Sequence, residues 1–455
     1  MEDASARLIA HALAIEWQAL PVATRLRTLE FLGDTLAVGV AGRKAAYADA
    51  VLASASLWAG GSQSHGGFVL GAPGIRLSAP YAAYVNAYQI HAQEYDCVHE
   101  PAVAHPMATV LAAIMAEAAR SDACHGADFL SALVAGVDVV ATLGIAAKGP
   151  LKFFRPATVG IFGCVAALAR LRRLDPQTAR NAFGYALAYA SGTMQAHVEG
   201  KPTLALQVAG AARSAVEAVD LAVAGLPGPL GSIDGPFGYM VLFENDTDIE
   251  PVLARLGQGW RIDELSWKPF PTGRAAHGAI VALRSLIEEH GVTIDTLERF
   301  EYHAPPLISR LVGRPARPDM SVAYARLCFP WLGALLLRDG SITLDAFSAE
   351  NIGDPQLLDI ARRIEVRVNE ISDQAAFAPA TGLATLRDGR AIHVHVESQY
   401  GSPQWPLDQA AQNEKWKTCL AFGGLACRED ALSQLVAGFD RLDDVAGALA
   451  SVLAG

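Results

Sequence analysis

Basic charge is what this sequence is shortest of. Thirty-six Lys and Arg stand against 47 Asp and Glu, giving a net charge of −11. Nucleic acids and anionic membranes call for a basic surface, so both are excluded as expected partners. Charge of either sign is sparse, at 18% of 455 residues. Cysteine is scarce too. The six (Cys97, Cys124, Cys164, Cys328, Cys419 and Cys427) are scattered, with no pair at CxxC spacing. That excludes a zinc or dithiol motif and a disulfide framework, and buried free thiols are expected. No HExxH occurs, and no GxGxxG follows a strand pattern, which removes the common metalloprotease and dinucleotide-binding signatures. The opening MEDASARLIAHAL lacks a charged-then-apolar leader. The apolar helices are short or interrupted by Gly and polar residues, so none reads as a membrane span. A cytoplasmic enzyme is the expectation.

Apolar residues are plentiful: 52% of the chain is hydrophobic, enough for a large core and for two or three domains. The first 255 or so residues read as helix after helix. Ser78 and Pro80 open one that runs toward His91, Pro106 opens the next, and 126–147, 156–174 and 204–225 follow at helical spacing. Asp175-Pro176 caps another. After Trp260 the texture changes. Segments 298–305 and 365–371 alternate as strands do, and two more flank the turn signal Asp388-Gly389. From about 405 the chain is helical again. The fold class predicted is mainly α with an α+β lid. Residues 1–265 form a large all-helical domain, completed by 396–455, and residues 266–395 form the smaller α+β domain.

Residues 86–106, NAYQIHAQEYDCVHEPAVAHP, concentrate titratable groups between apolar helices. Burying such groups costs several kcal/mol unless they are paired or used, and clusters of this kind are where proton transfer is found. His105, Glu94 and Asp96 are the candidates there, while His91 and His99 read as packing or hydrogen-bonding residues. His393 and His395 alternate onto one strand face.

With FFRPATVGIFGCVAALARL (153–171), EGKPTLALQVAGAARSAVEAVDLAVAGLPGP (199–229), WKPFPTGRAAH (267–277), ARLCFPWLGALLLRDG (325–340) and GSPQWPLDQAAQNEKWKTC (401–419), this segment resembles the MmgE/PrpD family. That family includes 2-methylcitrate dehydratase, cis-aconitate decarboxylase and iminodisuccinate epimerase. The resemblance spans nearly the whole chain. It implies an active site between the two domains, a homodimer, and neither metal nor organic cofactor. Glu94 stands at the family's first signature aspartate, and Asp96 at the next acidic position. His105, Lys201, Lys268 and His277 match family positions directly. Arg155 and Trp331 stand where dehydratase and decarboxylase members carry histidine and tyrosine.

Substrates of such a family are small polycarboxylates whose proton beside a carboxylate is hard to remove. A base and fixed cations are needed. His105 is the expected base or acid, oriented by Glu94 or Asp96. His277 from the lid is the opposing proton relay, and Lys201 completes the catalytic set. Arg155, Lys268 and Arg274 are expected to hold substrate carboxylates. Arg326 reads as a structural ion-pair partner and Trp331 as core. The function expected is a cofactor-independent, dehydratase-like lyase. The alternatives are an epimerase or a non-catalytic polycarboxylate-binding relative. The proton-abstraction reading expects His105, Lys201 and His277 to share one cavity between the domains.

Overall fold

The computed structural model describes residues 3–61, 66–121, 123–373 and 375–454. Helices form where the apolar periodicity places them. Pro106 is the first residue of helix Pro106–Ala118, Asp175 caps Pro176–Tyr189 by accepting from the Gln177 and Thr178 amides, and Ser78 precedes Ala79–Ala92. The predicted 156–174 helix is broken: a single turn, Arg155–Thr158, is followed by Gly160–Leu171.

Small residues let these helices touch. A Cβ added to Gly136, in helix Gly126–Ala146, would lie 2.5 Å from Val110 Cγ1 and 2.9 Å from the Gly163 carbonyl oxygen. Gly126–Ala146 is long and apolar enough to cross a membrane, yet 94% of its most apolar stretch is buried by its neighbours. It is a core helix.

The apolar interior divides in two. One core runs from Ala4 to Trp267 and is joined by Leu407, Trp416, Cys419, Leu420 and the last helices as far as Leu453. The second comprises residues from Phe270 to Val396. It is built on a four-stranded sheet whose spatial order is Ile364–Val368, Leu297–Ala304, Ala380–Leu386, Ala391–Val396. The first pair is parallel and the other two are antiparallel. The Asp388-Gly389 turn joins the last pair, with Gly389 at φ +87°. Helices His277–His290 and Phe329–Asp339 cover the sheet. All six cysteines are free, five of them buried. Trp331 is buried against Phe347. His393 and His395 are exposed on the outer strand.

Candidate active site between the helical and mixed domains

Helix Ala79–Ala92 ends at Gln93, and the chain then turns sharply through Glu94, which has φ +48°. A left-handed glutamate is uncommon and persists only where its surroundings hold it. Two lysines do so. Lys268 Nζ donates to Glu94 Oε2 at 2.8 Å, and Lys415 Nζ donates to the Tyr95 carbonyl at 3.0 Å. The turn then delivers Asp96 to the interior. Asp96 Oδ2 accepts from His105 Nδ1 at 3.0 Å and from His91 Nδ1 at 3.1 Å, and the two rings meet edge to face. His105 sits directly before Pro106, which disfavours helical backbone there and so starts the helix one residue later.

Electrostatics follow from that geometry. Burial alone raises the Asp96 carboxyl, but His105 and His91 outweigh it and hold the group well below the usual range. Burial likewise works against ionised Glu94, and Lys268, His91 and His105 overcome it, bringing Glu94 down to about 2. Burial lowers His105 more than Asp96 raises it, which favours the neutral ring. For His91 burial again lowers, yet Asp96 and Glu94 prevail and its value is raised. Both Nδ1 atoms are committed to Asp96. His91 Nε2 is buried without a hydrogen-bond partner among the described residues, with Glu94 Oε1 4.0 Å away, and the one hydrogen bond of the His105 ring among them is that of Nδ1.

His105 borders a cavity of about 70 Å³ between the two cores. Phe154, Arg155, Met194 and His197 line it from one side, and Leu311, Val312 and Phe377 from the other. A second cavity, of about 40 Å³, is lined by His91, Lys201, Pro202 and Ser321. Glu94 and Leu204 border both.

Several expectations need correction. His105, Lys201 and His277 do not share one cavity. Lys201 is exposed and lines the smaller one. His277 lines neither: it is fully buried, its Nδ1 lies 3.2 Å from Arg274 Nη1, and its Nε2 has no partner. Burial, then Arg274 and Lys268, hold it well below the ordinary imidazole value. The three cations expected to bind substrate are spent inside the protein. Lys268 neutralises Glu94, with Asp96 Oδ1 4.0 Å away. Arg155 forks onto Glu244 at 3.2 and 3.1 Å. Arg274 donates to Glu100 at 2.7 Å and to the carbonyls of Trp267, Tyr400 and Gln399. The reason is common to all three: a buried cation needs a partner, and the fold supplies one. Arg326 is structural as expected, but its partners are the Pro271 carbonyl, Gln93 Oε1 and the Phe347 ring rather than a carboxylate.

His91, read as a packing or hydrogen-bonding residue, is the second imidazole on Asp96. His197 was missed. It is buried beside Arg314 and pushed down to about 3, first by burial and then by Arg314. The only sequence signal for it was its position four residues before Lys201. His99 is structural: its Nε2 donates to Glu264 Oε2 at 2.8 Å and its Nδ1 accepts from the Ala102 amide.

His91, Asp96 and His105 present ligand-type atoms within 4.8 Å of one another, the spacing a metal would use. The hydrogen bonds to Asp96 and the nearby Lys268 ammonium account for the cluster without one. Chemically, the arrangement offers a neutral, carboxylate-oriented imidazole nitrogen to a small cavity, which suits it to take a proton.

Known proteins place the chain. It matches the MmgE/PrpD N-terminal domain over residues 6–252 and the MmgE/PrpD C-terminal domain over residues 270–440. It is 30% identical to the human cis-aconitate decarboxylase over 368 residues, covering 77% of this chain and 74% of the relative. With the mouse cis-aconitate decarboxylase the figure is 27% over 442 residues, covering 92% and 86%. A cis-aconitate decarboxylase-like protein of Aspergillus oryzae is 25% identical over 366 residues, covering 75% and 76%. With both domains matched in order along nearly its whole length, the chain belongs to the MmgE/PrpD family.

Proposed function

We propose that the protein is a cofactor-independent lyase that acts on a small di- or tricarboxylate by moving the proton beside a carboxylate. The observation that carries this reading is His105: fixed through Nδ1 on Asp96, bordering the cavity between the domains, with burial favouring its neutral form. A neutral imidazole takes a proton readily at pH 7 but gives one poorly, which favours elimination begun by abstraction. His105 Nε2 removes the proton from the carbon beside the carboxylate. The hydroxyl on the neighbouring carbon departs, taking that proton back from the imidazolium, and an alkene and water remain. Asp96 stabilises the transient imidazolium. Lys201, exposed at the adjoining cavity and with its ammonium in no hydrogen bond among the described residues, supplies the charge for a substrate carboxylate.

Decarboxylation is the second reading, favoured by the activity named for the human and mouse relatives. It would require His105 to deliver a proton to an alkene carbon while carbon dioxide leaves. Epimerisation draws less support, because it needs a base on each face of the carbon and His277 does not border the cavity.

Proton NMR in D2O, with citrate, 2-methylcitrate and cis-aconitate and no added metal, tests the proposal. We expect deuterium beside the carboxylate together with a new alkene signal. A His105→Ala variant should lose about 10²–10⁴-fold in rate. Exchange without net turnover would favour an epimerase. Absence of both exchange and alkene with every compound, together with equal binding by the variant, would overturn the lyase reading.

A further inference from the structure

We propose that the His105 cavity receives an alkyl group where a tricarboxylate carries its third carboxylate, and that Glu244 sets this preference. The inference rests on the lyase reading and names the substrate class for the same site.

The cavity wall holds three ionised side chains, and the chain has already neutralised each. Arg155 is the one best placed to take a carboxylate, since it lines the cavity and is 2% exposed. Its Nε and Nη2 are both filled by Glu244, and its Nη1 donates to the Ala102 carbonyl at 3.3 Å. Glu244 is itself held. Its Oε1 accepts from the Tyr239 hydroxyl at 2.9 Å, and that hydroxyl lies 3.0 Å from Thr158 Oγ1. Its side chain is only 6% exposed. The fork geometry by which arginine binds a carboxylate is therefore occupied by a carboxylate of the protein. Arg274 is bound to Glu100, and Glu94 to Lys268. No cation on this wall is left for a ligand among the described residues.

The remaining wall is mostly apolar, including Val103, Leu151, Phe154, Met194, Leu311 and Leu327. A carboxylate entering here would give up its hydration and find no partner, a cost of several kcal/mol. A hydrocarbon would gain by leaving water. The volume of about 70 Å³ exceeds the roughly 10–15 Å³ that one water-sized group needs, which leaves room for a short chain. Lys201, whose ammonium is unpaired among the described residues, lies across Glu94 and Leu204 in the other cavity. The ligand that fits has its carboxylates toward Lys201 and an apolar branch toward Phe154 and Leu311.

Citrate and 2-propylmalate provide the test. They share a malate core, and the second replaces a carboxymethyl group with propyl. Both can lose water across the same bond. The wild-type protein should favour 2-propylmalate in kcat/KM by about ten-fold or more. Glu244→Gln removes the internal anion from Arg155 and should shift the ratio toward citrate by a similar factor. Preference for citrate by the wild type, or an unchanged ratio in a folded Glu244→Gln protein, would overturn the inference. Should circular dichroism show Glu244→Gln unfolded, the double variant Arg155→Met/Glu244→Met decides. It leaves no unpaired charge at this position and should keep the preference for 2-propylmalate, and its reversal would refute the proposal. Turnover of citrate alone is thus failure of this inference. Silence toward every compound is failure of the lyase reading beneath it.

Discussion

Asp96 is the residue on which the candidate site turns. Its Oδ2 receives an N–H from each of two imidazoles, so its charge fixes the tautomer of both. Replacing it with asparagine keeps the shape and removes the charge. In Asp96→Asn the Coulombic contribution that raises His105 is lost, and that ring's already lowered pKa falls further. Activity needs neutral His105, so in the wild type the rate is level through pH 7 and declines only on the acid side of the ordinary imidazole value. In Asp96→Asn the acid limb moves to lower pH while the plateau drops by about 10²–10⁴-fold, because the imidazolium loses its stabilising anion. A pH profile of kcat/KM checks both features. A lower plateau with an unmoved limb would mean that Asp96 acts on folding alone. That an acidic neighbour in the same short segment, Glu94 or Asp96, would orient His105 was legible in the sequence; that it is Asp96, with Glu94 turned to Lys268, was not. Nor was the His91 contact, because it depends on how the turn at Glu94 bends back.

At the scale of elements, the helical domain depends on close approach more than on large side chains. Gly136 of Gly126–Ala146 and Gly163 of Gly160–Leu171 face each other, and a Cβ on Gly163 would lie 2.6 Å from the Gly136 carbonyl oxygen. Backbone cannot give way as a flexible side chain does. Gly163→Ala should therefore destabilise by about 1–3 kcal/mol despite alanine's better helix propensity. Chemical denaturation measures this, and a stabilised variant would show that the helices are free to separate. The Ala and Gly richness of these segments announced tight packing. The split of 156–174 into a turn and a helix was not announced. That split places Arg155 and Pro156 at the cavity while Gly160–Leu171 stays in the core.

For the whole molecule, the C-terminal segment matters as much as the two main cores. Lys415, on helix Gln409–Phe422, reaches Asp34 on helix Val22–Ala41 at 2.7 Å and also holds the Tyr95 carbonyl beside the candidate site. Asp34 and Lys415 are both buried. Burial raises Asp34, and Lys415 only partly opposes it. Lys415→Met leaves that carboxylate with no cation and should cost about 3–5 kcal/mol at neutral pH. The sign with pH follows. A carboxyl raised on folding favours the folded state at low pH, and that advantage is lost as pH rises through the raised value. The penalty in Lys415→Met should accordingly be larger at pH 8 than at pH 5, as read by denaturant midpoints at the two values. Equal losses at both would mean that Asp34 is solvated in the variant.

The sequence by itself determined the helices, the hairpin, the membership signalled by 86–106 and the nearness of His105 to Asp96. These rest on periodicity, capping and short spacing, all local properties of the chain. Only the tertiary structure decided which charges remain available. Arg155 meets Glu244 across 89 residues, Lys268 meets Glu94 across 174 and Arg274 meets Glu100 across 174. A long cationic side chain reads the same in sequence whether it awaits a ligand or is already neutralised. The difference arises when distant segments pack and a buried charge must find its counterpart before water is excluded.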